Sequence, residues 1–369
     1  MTKILLFIDS NIKTIPYEVP LLSLKERGYT IVFLSILKEG PIHEEYRRYG
    51  FPVLSMGEEK VSLKKLPQYV IKLKNVCRHA SIDVVFAHLA IPSLAALLVK
   101  PFIDAKVVCF RHHFNFVATK GSRHLKVNRI DNLIDKINAR LASTIIIPSN
   151  YLKELINKTE GVRLNKMKVI PYAYDWNMFI ERTHLNCNLE KSEGRLKLLV
   201  ISRLTELKRP ALALELLHVL RKDGSDVTLT VVGTGDLMND LHHYSKSLGV
   251  SERVQFVGFQ SDVTQFIRES DILIHPSLTE ASSSVVKEAG ILGKPVIVCN
   301  GVGDFNDYIV NDVNSWSVDP DNFVDEAKDI LSTTTSETLR QKGFELKGTV
   351  ERKFSLTDSV VDSYISLLH

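Results

Sequence analysis

Two glutamates eight residues apart, Glu280 and Glu288, bracket three serines in Leu278-Thr279-Glu280-Ala281-Ser282-Ser283-Ser284-Val285-Val286-Lys287-Glu288-Ala289-Gly290. An apolar run at 271–275 leads into this stretch and stops at Pro276-Ser277; after Ser284, Val285, Val286, Ala289 and Leu292 recur at helical spacing. A strand end, a small-residue loop and a helix start together make a phosphate site. Ser282, Ser283 and Ser284 supply N-cap oxygens, and the orphan N–H groups of the first turn point into the gap above the strand. Glu280 precedes the helix and Glu288 lies about one turn into it. One carboxylate can therefore face a reacting group and the other a ligand's more distant hydroxyls. Spacing alone favours an exposed pair; the apolar run before them and Gly293-Lys294-Pro295-Val296-Ile297-Val298 after them favour a site.

The elements that must hold such a site are short apolar strands alternating with helical stretches, which argues for βα units on parallel sheets. In the first half the strands fall at 4–8, 31–35, 84–87, 107–110, 144–147 and 169–170, with helices at 17–26 and 63–77 among those between them. Ligand crevices lie at the carboxyl ends of such strands, which singles out Asp9-Ser10-Asn11, His88 and Arg111-His112-His113. The second half restarts with strands at 196–201, 229–232, 254–258 and 296–298. Gly233-Thr234-Gly235 follows one of them, where a tight turn brings backbone close to a ligand. The polar segment 181–194 reads as a linker, and a last helix spans roughly 356–368.

At 369 residues two domains are the natural expectation. The longest apolar stretch, 89–99, is shorter than a bilayer span and carries Pro92; the four cysteines fit neither a zinc pattern nor a disulfide framework, so reduced thiols in a cytoplasmic protein are expected. Residues 1–172 hold 27 Lys and Arg against 14 Asp and Glu, a net +13, whereas the remainder holds 20 against 29, a net −9. The first half is therefore expected to meet something anionic. Nucleic acid is not that partner, because no recognition motif or aromatic-basic interleaving accompanies the charge. Two basic amphipathic segments, 60–79 and 120–140, favour a membrane surface instead.

The 278–290 stretch in this setting resembles the E-x7-E signature of the family 4 retaining glycosyltransferases, and the resemblance covers nearly the whole chain. Ser202-Arg203-Leu204-Thr205-Glu206-Leu207-Lys208 resembles the family's Gly-Arg-Leu-x-x-x-Lys loop, and Val169-Ile170-Pro171-Tyr172-Ala173-Tyr174-Asp175 its interdomain Ile-Pro-Asn-Gly-Val-Asp. The resemblance implies an α/β chain of GT-B type: two facing Rossmann-like domains with a cleft between them. Residues 1–172 would form the acceptor-side domain, 173–194 the linker, 195–350 the nucleotide-sugar domain, and 351–369 a helix crossing back to the first domain.

It implies a hexosyltransferase-type enzyme moving a sugar from a nucleoside diphosphate sugar to an acceptor hydroxyl in surface polysaccharide or glycolipid synthesis. Glu280 would orient the donor sugar, Glu288 hold the ribose hydroxyls, and Arg203 and Lys208 bracket the diphosphate. Main chain near Gly233, Gly235 and 254–258 would lie by the nucleotide, and His112, with His113 in reserve, would meet the sugar from the other domain. No metal and no cofactor are expected. The expected partners are the donor and a lipid-linked acceptor at the inner face of an anionic membrane.

The sequence departs from the family at Thr14-Ile15-Pro16-Tyr17-Glu18, where a Gly-Gly turn is usual, at Ala281, Ser282, Ser283 and Ser284, where Gly-Phe-Gly is frequent, and at Asp304 and Asp307. A GT-B phosphorylase or epimerase, or a non-catalytic nucleotide-sugar binder, shares the same donor pocket and stays open on sequence.

Overall fold

The computed structural model describes residues 1–12, 18–114, 116–118, 125–183 and 194–369. The Ile15-Pro16 loop, Cys187, residues 120–124 of the second basic segment and most of the expected linker lie outside the described residues. The chain divides into two compact units, one of residues 1–115, 127–174 and 356–369, the other of 116–126 and 175–355.

In the first half of the chain the strands are β1 (Lys3–Ile8), β2 (Thr30–Leu37), β3 (Val53–Glu58), β4 (Val84–His88), β5 (Lys106–Phe110), β6 (Phe116–Ala118), β7 (Leu125–Val127), β8 (Ile145–Ile147) and β9 (Met167–Val169). Seven of them form a parallel sheet in the order β3-β2-β1-β4-β5-β8-β9, and β6 and β7 pair separately. β1, β2 and β4 are almost wholly apolar and buried, as strands covered on both faces must be. β3 lies at the sheet's edge and reads Val-Leu-Ser-Met-Gly-Glu, which is why no apolar run announces it. The helix expected at 63–77 runs as Leu66–Ala80 after a tight turn at Leu63–Lys65.

The chain's last helix, Asp358–Ile365, belongs to this unit. Val361, Tyr364 and Leu367 join the core of Ile4, Leu6, Phe33 and Phe86, and Arg27 pairs with Asp358 and Asp362. Inside the expected linker 173–194, a helix occupies Trp176–Thr183.

The second unit holds β10 (Leu196–Ile201), β11 (Val227–Val232), β12 (Val254–Gly258), β13 (Ile272–His275), β14 (Val296–Cys299) and β15 (Trp316–Val318), all parallel, in the order β12-β11-β10-β13-β14-β15. β15, three residues at an edge, is again a strand the sequence pattern does not reveal. Both sheets have Rossmann-like order. Successive connections run one way from β1 and β10 and the other way from β4 and β13, so the loops part at the carboxyl ends of those neighbours and open a crevice there.

The helix Ser284–Ile291 is backed by Ser336–Phe354, and the approach is close enough to need glycine. A Cβ on Gly343 would stand 1.9 Å from the carbonyl oxygen of Gly293, whereas one on Gly348 would meet only the mobile tip of Arg352 at 3.3 Å. Alanine is favoured over glycine in a helix by about 1 kcal/mol. Gly348→Ala should therefore raise the urea midpoint. Gly343→Ala should lower it, because overpacking against backbone costs about 1–3 kcal/mol. Equal shifts in both would contradict this packing.

Candidate active site

Glu280 sits in the loop after β13 and Lys208 in the loop after β10, the two strands that flank the second unit's switch point. Their side chains form an ion pair, and His275 Nε2, at the end of β13, donates to the same carboxylate oxygen at 2.7 Å. Burial opposes the charge on Glu280, but the Lys208 ammonium and the His275 hydrogen bond outweigh it and hold the carboxyl well below its usual range. The group is a fixed anion at neutral pH. Its stabilisation is present above the ordinary carboxylate pKa and is lost as the pH falls below it, because the unfolded chain then takes up a proton the folded chain refuses. His275 escaped the sequence reading because it looks like the last residue of a buried strand.

Arg203 and Lys208 share one loop and differ in state. Arg203 is exposed, whereas Lys208 is largely buried against Glu280. Leu278 N–H donates to Leu207 O at 2.8 Å, so the two loops are joined by backbone as well as by charge. Arg209 fastens them further, donating to Pro276 O at 2.8 Å, Pro320 O at 2.7 Å and Cys299 Sγ at 3.0 Å. It does so from a left-handed backbone, φ 46, which for a residue with a Cβ is sustained only by surrounding contacts.

Gly233 and Gly235 are glycines for a reason of packing. A Cβ on either would collide with backbone, 1.9 Å from Ser202 O and 2.3 Å from Leu204 O. These glycines let the loops after β10 and β11 lie against each other, sealed by Ser202 N–H to Val232 O at 3.1 Å and Leu204 N–H to Thr234 O at 2.9 Å. Their bare faces meet protein.

The serine run is also held differently. Ser283 occupies the N-cap position of Ser284–Ile291 without a capping hydrogen bond from its hydroxyl. The loop is tied from beneath by Lys287, which is fully buried. Its ammonium donates to Asp304 Oδ2 at 2.8 Å, Ser282 Oγ at 2.8 Å and Ser283 O at 3.3 Å, and lies 4.5 Å from the centre of the Phe354 ring. Ser282 in turn donates to Asp304 Oδ2 at 2.6 Å. The Ser282 side chain is thus tied into the fold, Ser283 is buried, and Ser284 is exposed. Glu288 is half-buried on the second turn. Asp304, a departure from the family pattern, is the counter-ion that the unusual Lys287 requires.

In the first unit, the carboxyl ends of β1, β4 and β5 carry Asp9, His88 and Arg111-His112-His113. His112 is buried: Nε2 lies 2.9 Å from His88 Nδ1 and Nδ1 lies 2.8 Å from the Tyr172 hydroxyl. Burial pushes His88 down to about 3, and burial with the neighbouring His88 and His113 holds His112 well below the usual imidazole range, so both rings are neutral at pH 7. Both nitrogens of His112 are engaged within the unit. Arg111 makes a two-point ion pair with Glu160, at 2.7 and 2.6 Å, and sits 3.3 Å from Asp135, while His113 stays half-buried. Asp9, half-buried, is pushed up to about 6 by burial. The described residues contain no group of three or more His, Cys, Asp or Glu side chains that could hold a metal ion.

The Lys287 network yields a direct test. Lys287→Met leaves Asp304 buried without its cation and should cost about 3–5 kcal/mol in urea unfolding, and Lys287→Met with Asp304→Asn should recover a large part of it. A single substitution costing under about 1 kcal/mol would mean the pair does not hold the serine loop.

Two family models match consecutive halves: "Glycosyltransferase Family 4" over residues 22–176 and "Glycosyl transferases group 1" over 182–343. The chain is 23% identical over 340 residues to the UDP-Gal:alpha-D-GlcNAc-diphosphoundecaprenol alpha-1,3-galactosyltransferase of Escherichia coli, covering 89% of this chain and 86% of the relative. It is 24% identical over 230 residues to the N-acetylgalactosamine-N,N'-diacetylbacillosaminyl-diphospho-undecaprenol 4-alpha-N-acetylgalactosaminyltransferase of Campylobacter jejuni, covering 61% of this chain and 60% of that one. Among solved structures, Anabaena HepE in complex with UDP superposes with a TM-score of 0.78 at 18% identity, over 100% of this chain and 99% of HepE. With two Rossmann-like units and a Glu280–Glu288 pair beside the second switch point, the chain belongs to the family 4 glycosyltransferases of GT-B fold.

Proposed function

We propose that the protein transfers a hexose, with retention of configuration, from a UDP-sugar to a hydroxyl of a lipid-diphosphate-linked sugar at the inner face of a membrane. The observation that carries this reading is the cationic loop after β10 meeting the anionic loop after β13 at the switch point of the second unit. A diphosphate leaving group must be neutralised as the bond to the sugar breaks, and fixed cations do this without reorganising at the moment of reaction. The exposed Arg203 is the free charge of the pair; Lys208 contributes from a position set by Glu280 and His275. The half-buried Glu288 then takes the ribose hydroxyls, with first-turn N–H groups near Ser284 on the phosphates. His112 serves as the centre of a neutral, rigid chain that orients the strand end bearing His113. HepE has been solved with UDP-glucose, and the Escherichia coli and Campylobacter relatives carry UDP-Gal or diphosphoundecaprenol acceptors in their names, which supports the donor and acceptor classes.

Incubation with a panel of UDP-sugars and a diphospholipid-linked sugar tests the reaction itself, with an α-linked product expected from an α-linked donor. Arg203→Ala should lower turnover about 10²-fold or more while thermal unfolding stays at the parent value, the scale of losing one transition-state donor. Lys208→Ala should lose stability as well as turnover, because it strands the buried Glu280 carboxylate. Parental turnover in Arg203→Ala would remove the diphosphate assignment.

The two glutamates should separate kinetically. Glu288→Gln keeps an acceptor for a ribose hydroxyl and should mainly weaken donor affinity in calorimetry. Glu280→Gln removes the charge that would face the reacting sugar and should depress kcat with donor binding largely kept. The reverse pattern would exchange their roles.

A further inference from the structure

The helix Arg129–Leu141 is built inside out. Its buried side carries Ile134 and Ala139 with two polar residues, Asp135 and Asn138. These anchor it: Asp135 lies 3.3 Å from Arg111, and the Asn138 amide donates to Ala90 O at 2.9 Å. The outward side carries Ile130, Leu133, Ile137 and Leu141, which are 66%, 59%, 39% and 50% exposed. Spacings of three, four and four residues keep them in one stripe. A surface helix normally turns its polar residues to water, and an exposed apolar stripe of this length marks a surface that meets something else.

Beside the stripe runs a column of exposed cations, Arg129, Lys136 and Arg140, with Asp131 as an exposed acid on the same helix. We infer that this helix is the face through which the protein lies on an anionic phospholipid bilayer, its four aliphatic side chains entering the acyl boundary and its three cations resting among the headgroups. The inference deepens the reading of a lipid-linked acceptor and rests on it. Apolar stripe plus adjoining basic column is the composition of a helix lying in the plane of a membrane surface, and each basic residue there adds attraction to anionic lipid. A second copy fits poorly, because a two-fold contact through the same stripe would bring two sets of Arg129, Lys136 and Arg140 together.

The other basic segment is differently disposed. Lys65 pairs with Glu58, Lys72 donates to Met56 O at 2.8 Å with Glu58 at 3.7 Å, and Lys74 lies 5.4 Å from the centre of the Phe102 ring. Tyr69, Leu73 and Cys77 of its helix point into the core. Lys65 and Lys72 are answered within the protein, which makes them weaker docking contacts than their sequence pattern promised.

Sedimentation of the full chain with vesicles of pure phosphatidylcholine, or of phosphatidylcholine with phosphatidylglycerol, tests the assignment. The parent should bind the acidic vesicles and release with salt over the range where the Debye length shrinks below about 8 Å. A variant with Ile130→Ser, Leu133→Ser and Ile137→Ser should bind at least tenfold more weakly at an unchanged melting temperature. A variant with Arg129→Gln, Lys136→Gln and Arg140→Gln should lose most of the salt dependence, whereas Lys65→Gln with Lys72→Gln should keep it. Parental binding by the serine variant would overturn the helix as the docking face while leaving membrane docking intact. A parent that binds neither vesicle would overturn the membrane reading and this inference together. A parent that is a dimer without lipid and a serine variant that is a monomer would assign the stripe to self-association instead.

Discussion

A carboxylate removed from water has to be met by a cation and by hydrogen-bond donors, and Glu280 finds both in Lys208 and His275. That requirement organises the second unit's loops. Lys208 has to come from the loop after β10 and His275 from the end of β13, so neither loop can drift without exposing an unpaired charge. Arg209 adds a third fastening, reaching backbone carbonyls at Pro276 and Pro320 and the sulfur of Cys299. The same logic repeats under the serine run, where Lys287 and Asp304 are buried together and dictate where Ser282 points. A buried ion pair adds little net stability, but breaking it is expensive, so such pairs act as geometric locks more than as glue.

The parallel topology explains why these locks meet where they do. β10 and β13 are neighbours whose connections leave in opposite directions, so the loops after them diverge and open a crevice. Backbone crowding shapes the flank of that crevice: Gly233 and Gly235 lack a Cβ because the Ser202–Leu204 backbone lies where it would be. The crevice is walled by backbone contact on one side and by charge pairing on the other. Arg203, on the same loop as Lys208, is exposed, and the proposed diphosphate assignment uses it.

The first unit solves the same problem with neutral groups. His88, His112 and Tyr172 form a buried hydrogen-bonded row in which burial suppresses the imidazolium form, so no counter-ion is needed. Arg111 next to them is charged and is answered by Glu160 and Asp135. Asp135 belongs to the helix whose outer face is apolar, so the ion pair that seats Arg111 also sets the outward direction of Ile130, Leu133 and Ile137.

Local pattern determined much of this protein. Apolar runs covered on both faces, as in β1, β2, β10 and β13, are legible because nearly every residue must be hydrophobic, and the Glu280–Glu288 spacing with the Arg203–Lys208 loop identified the family and marked the candidate site in the second unit. The edge strands β3 and β15 were not legible, since a strand with one neighbour need not be apolar throughout. Tertiary structure alone decided the partners. Lys208 and Glu280 are 72 residues apart and Lys287 and Asp304 are 17 apart, and no periodicity in one segment records a charge in another. It also decided which face of Arg129–Leu141 turns outward. A helical wheel shows an apolar stripe and assigns it to the core by default; only the pairing of Asp135 with Arg111 and of Asn138 with Ala90 turns the polar side inward.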